Sequence, residues 1–73
     1  MNIEVRISKY DKHILALKTE SSIIILSFLL RSNLDKMLNN YIITGKAKSY
    51  IIVERFTTDY EIITRLIKVF LED

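Results

Sequence analysis

Residues Ile23 to Leu30 form an apolar run broken only by Ser27. The run is far short of the ~20 residues that a membrane-crossing helix needs, so it reads as a buried element. It is apolar on every side, so protein must wrap it completely. That is a demanding condition for 73 residues, because a chain this short buries only roughly 60% of its unfolded surface. The sequence has no Cys, and with it go disulfides, thiolate zinc sites, redox motifs and cysteine nucleophiles. A hydrophobic content of 49% against 27% charge argues for a folded chain. The core must come from apolar burial alone, and completion by a second subunit, a homodimer, is expected. Residues 1–73 are expected to form a single domain. Met1 to Glu4 lacks the basic and apolar regions of a secretory signal, and a cytoplasmic, soluble protein is expected.

Asn2 to Ser8 alternates, with Ile3, Val5 and Ile7 on one side, which predicts a half-buried strand. Lys9 to Lys12 is a polar break suited to a turn. His13 to Thr19 reads as a second strand in a hairpin with the first, with residues 9–18 as a helix the alternative. Thr19 to Ser22 offers N-caps, and from Ile23 the spacing of Leu26, Leu30, Leu34, Met37 or Leu38, and Tyr41 predicts a long helix. Gly45 suits its left-handed C-terminal stop. Ser49 to Phe56 is dense in β-branched and aromatic residues and predicts a strand. Thr58 and Glu61 make a capping box for a last helix, with Tyr60, Ile63, Ile67 and Phe70 as its stripe. The pairs Arg31–Asp35, Glu61–Arg65 and Lys68–Glu72 are spaced for i,i+4 contacts. The expected fold is α+β, order β-β-α-β-α: a three-stranded sheet with two helices packed on one face. The other sheet face, carrying Ile14 and Ala16, is expected to be open to a partner.

The chemistry-bearing residues do not form a catalytic set, and no enzyme is expected. His13 is the only histidine, and the acids are scattered. One His without Cys does not supply a metal site, and one Gly does not supply a phosphate-cradling loop. No cofactor or metal is expected. The net charge of +2 permits nucleic-acid binding without demanding it. If the third strand runs parallel to the second, Lys9, Tyr10, Lys12 and His13 gather with Lys46 and Lys48 at one end of the sheet. That basic end is the candidate contact for an acidic protein surface or for phosphates. Tyr41 and Tyr60 fall on helix stripes at the core edge, whereas Tyr10 and Tyr50 suit exposed contacts.

The helical alternative for residues 9–18 carries a different function. A strand from Asn2, a short helix, the Thr19–Ser22 turn and a long helix to about Tyr41 resemble the start of a ribbon-helix-helix DNA-binding domain. The resemblance implies a dimer whose paired strands enter the major groove. Asn2, Glu4 and Arg6 would face bases, and Ser21 or Ser22 would contact phosphate. The strand and helix after Gly45 have no counterpart in that minimal domain.

The leading expectation is a small non-catalytic binding protein acting through protein–protein contacts. Its size and its Ile-, Lys- and Asn-rich, AT-type composition suit an accessory regulator or inhibitor of the phage or mobile-element kind, such as an anti-defence protein. A protein partner is expected, with DNA binding as the alternative and no membrane association.

Overall fold

A computed structural model describes residues 1–54 and 60–72. The elements are β1 (Asn2–Arg6), β2 (His13–Lys18), β3 (Ser22–Phe28), α1 (Arg31–Ile43), β4 (Ser49–Glu54) and α2 (Tyr60–Glu72). The α+β class holds, but the sheet has four strands, in the order β1-β3-β2-β4. β1 lies parallel to β3, and β2 is antiparallel to both β3 and β4.

Two expectations fail at the apolar run. Ile23 to Phe28 is strand, not the start of a helix, and α1 begins only at Arg31. Three consecutive isoleucines fit a pleated surface better than a helix, where β-branched side chains crowd the preceding turn. Thr19 to Ser22, expected as N-caps, instead close the β2–β3 hairpin. The Thr19 N–H donates to the Ser22 carbonyl at 2.8 Å, and the Ser22 N–H donates to Thr19 Oγ1 at 3.0 Å. The hairpin is therefore β2–β3, not β1–β2. The helical alternative for residues 9–18 fails too, since His13–Lys18 is strand.

Strand order follows from how many faces each sequence needs covered. Ile14, Leu15, Ala16 and Leu17 are all fully buried although successive side chains point to opposite faces. Such two-sided strands belong in the centre, as near-continuous apolar runs do. β1 is apolar only at alternate positions and takes an edge. Covering both faces of β2 and β3 requires a helix on each, so the two helices do not share one face. Leu34 and Leu38 of α1 pack with Leu15 and Leu17, joined by Met37, Tyr41 and Ile52. Leu66 and Phe70 of α2 pack with Ile14, Ala16, Ile23 and Ile25. The expected open sheet face is thus occupied by α2.

Helix ends repay the same reading. Gly45 adopts φ 70°, as its place after α1 predicts. Arg31–Asp35, Arg65–Glu61 and Lys68–Glu72 all approach, at 3.0, 3.9 and 3.9 Å. The α2 stripe is centred on Leu66 and Phe70, whereas Tyr60, expected at the core edge, is exposed. The Thr58 half of the capping box lies outside the described residues, as does Phe56. Among the described residues no helix is long and apolar enough to cross a membrane.

Candidate functional site

The strand directions decide where the candidate residues fall. β1, β3 and β4 run one way and β2 the other. One end of the sheet, here the upper end, therefore holds the carboxyl ends of β1, β3 and β4 and the start of β2. Lys9, Tyr10, Lys12 and His13 lie there. β4 is antiparallel to β2, not parallel as the gathered-lysine arrangement requires, so Lys46 and Lys48 enter β4 at the lower end, opposite Lys18. The structure brings Lys9 and Tyr10 together, the ammonium standing 5.0 Å from the ring centre. It brings Lys46 and Lys48 together beyond α1, around a shallow groove shared with Thr19, Glu20, Ser21, Ile24, Tyr41 and Gly45. It does not unite the two groups.

At the upper end, the segment linking β1 to β2 must pass over the end of β3, because β3 lies between those strands. Ser27 of β3 anchors it. The Ser8 N–H donates to Ser27 Oγ at 2.8 Å, and that hydroxyl donates to Asp11 Oδ2 at 2.8 Å. The Asp11 N–H closes the turn on the Ser8 carbonyl at 3.2 Å. Tyr10 is carried at the tip of this braced turn and is 72% exposed. Directly after β3, Leu29 and Leu30 are 67% and 56% exposed at the same end of the sheet.

Leu30 breaks a local rule. It is the N-cap residue of α1, with the extended backbone (φ −109°, ψ 130°) that a cap needs, yet it makes no side-chain cap hydrogen bond. Ser, Thr, Asp or Asn is strongly preferred there, because a side-chain oxygen accepts from the first free N–H groups, and leucine is among the poorest choices. The sequence places an exposed apolar side chain where a small polar one would stabilise the helix. Local rules are broken most often at functional sites.

Beside Leu30, an ion-pair network fixes the start of α1. Arg31 donates from Nε to Asp35 Oδ1 at 3.0 Å and from Nη1 to Glu54 Oε1 at 2.7 Å. The hydrogen bond to Asp35, then that to Glu54, holds the guanidinium above its ordinary pKa, so it stays charged. His13 faces Glu54 across the β2–β4 ladder. Its Nδ1 lies 2.5 Å from Glu54 Oε2, near enough for an ion pair but without the alignment of a hydrogen bond. The network ties the start of α1 to β4 directly after Leu29 and Leu30 in the chain. Among the described residues no three His, Asp or Glu side chains converge as metal ligands.

Sequence reasoning singled out Tyr10 and Lys9 but missed Leu29 and Leu30, which it placed inside a buried helix. The available signal was length: an eight-residue apolar run that opens on three isoleucines is strand-sized, and helices usually need ten residues or more. No family model, curated protein or solved structure matches the chain.

Proposed function

We propose that the chain is a small non-catalytic binding protein that docks onto another protein through the upper end of its sheet. Leu30 carries the reading: an exposed leucine occupies an N-cap that a polar residue would serve better. Tyr10, Leu29 and Leu30 are exposed at this end, with Lys9 against the Tyr10 ring and Arg31 next to Leu30 in the chain; aromatic and arginine side chains are enriched at interface cores, and the two leucines add apolar area to bury. The Ser27 and Arg31 hydrogen bonds hold these residues before any partner arrives, which lowers the ordering cost of binding. Binding of this kind suits an accessory regulator or inhibitor that occludes a surface of its target.

The nucleic-acid reading draws less support, because its lysines divide between two ends. The ribbon-helix-helix form of that reading lacks its first helix, and β1 is the edge of a four-stranded sheet covered by helices rather than half of a free two-stranded ribbon.

The test places a photo-crosslinking residue at position 10 and maps what is captured, against Leu30→Asp and Lys46→Glu/Lys48→Glu backgrounds. The expected result is one protein crosslink that survives the lysine changes and disappears with Leu30→Asp. In parallel, labelled duplex DNA is titrated at low and near-physiological salt. Binding that falls steeply with salt and is lost in the lysine variant would overturn the proposal in favour of phosphate contacts.

A further inference from the structure

The outer edge of β1 is a second surface, distinct from the upper end. One helix is about 10 Å across, while four strands at about 4.8 Å spacing span more than that. α2 therefore covers the middle of its face and leaves Ile3 and Val5 on β1 49% and 42% exposed. Ile3 and Val5 lie beside Ile23 and Ile25, on the α2 side, with Ile7 packed against the same cluster. Glu4 and Arg6 lie on the α1 side, where Arg6 Nε donates to Glu4 Oε1 at 2.8 Å.

Backbone direction on β1 is also settled. The Asn2 N–H donates inward to the Ser21 carbonyl at 2.9 Å, and the Ser8 N–H donates inward to Ser27 Oγ. Because N–H and C=O directions alternate along a strand, the groups of Ile3 and Val5 point outward along the free edge, and Ile7, the residue just past β1, continues that alternation up to the inward Ser8 N–H.

We infer that this edge pairs antiparallel with β1 of a second copy of the chain, about a two-fold axis at Val5. In that register Val5 meets Val5 of the second copy and exchanges both backbone hydrogen bonds with it. Ile3 meets Ile7 in the same manner. Glu4 then stands opposite Arg6, and Arg6 opposite Glu4, at the non-hydrogen-bonded positions where side chains approach most closely. Opposite charges meet twice, and the half-exposed apolar residues cover one another. Centring the axis on Glu4 instead would set the two carboxylates face to face, which opposes that register. Charges on an edge strand usually repel a second copy. Here their order, acid then base two residues on, matches its own two-fold image. The result is a continuous eight-stranded sheet, with the upper ends free on both subunits.

The test is sedimentation equilibrium across a wide concentration range, with circular dichroism to confirm that each variant folds. Wild type is expected to dimerise. Glu4→Arg sets Arg against Arg, and Arg6→Glu sets Glu against Glu, so each should weaken self-association roughly ten-fold or more. The double variant Glu4→Arg/Arg6→Glu restores both pairs and should recover the wild-type constant. An equimolar mixture of the two single variants should form a heterodimer, since each then supplies what the other lacks. A wild-type chain that stays monomeric would overturn the inference. So would a dimer indifferent to these changes, because its interface would lie elsewhere. Loss of the dimer leaves the crosslink from position 10 in place, so failure here is distinguishable from failure of the proposed docking function.

Discussion

Two neighbouring residues, Ile14 and Leu15, sit in two different cores. In a sheet covered on one face, one of them would point to solvent, and its truncation would cost under about 0.5 kcal/mol. Here both are fully buried: Ile14 under α2 with Leu66 and Phe70, Leu15 under α1 with Leu34 and Leu38. Truncating a buried Ile or Leu to Ala costs about 2–5 kcal/mol, from lost transfer energy and the cavity left behind. A domain of this size has roughly 4–11 kcal/mol in total, so either variant keeps a measurable fold or approaches the threshold. In urea, with a slope of about 1 kcal/mol/M for a small protein, each substitution should lower the midpoint by about 2 M or more. Ile14→Ala and Leu15→Ala are therefore expected to be comparably damaging. If either alanine variant left the midpoint unchanged, the two-faced core would be refuted.

Three further outcomes separate stability from binding. Leu30→Asp should stabilise the fold by about 1 kcal/mol by supplying the missing cap, read as a raised melting temperature, while abolishing capture of the partner. Ser27→Ala removes the acceptor for the Ser8 N–H and the donor to Asp11, and should cost about 1–3 kcal/mol. Hydrogen exchange should then quicken at Ser8 and Asp11 before it does in β2. Gly45→Ala meets no atom within 4 Å, so its penalty is conformational alone, about 1–2 kcal/mol for holding alanine at φ 70°. Gly45→Asn should cost less, and a thermal melt of both variants checks the difference.

Much of the local structure was legible from residue order. Alternation marked β1, β-branched density marked β4, the i,i+3/i+4 stripe marked α2, and the lone Gly marked the stop of α1. Each depends on a residue's immediate neighbours and backbone preference. The exposure of Tyr10 was legible for the same reason, because a polar break around an aromatic rarely lies inside a core. The run from Ile23 to Leu30 was not, since an apolar segment without periodicity suits a buried strand as well as a buried helix. Leu29 and Leu30 shared that ambiguity, and their exposure followed only once β3 ended at Phe28.

By itself the sequence determined that this chain is an α+β protein with an apolar core and no thiol chemistry, and that the isoleucines at the start of the Ile23 to Leu30 run must be enclosed, although Leu29 and Leu30 at its end are exposed. Tertiary structure alone decided which strands are neighbours. Pairing is a competition for burial among the strands together, and the two-sided runs took the centre and left one-sided β1 at the rim. That choice turned β4 antiparallel to β2, sent Lys46 and Lys48 to the opposite end from Lys9 and Lys12, and left the outward groups of β1 unpaired within the chain. Contacts between residues so far apart along the chain are set by the whole sheet, and no local pattern encodes them.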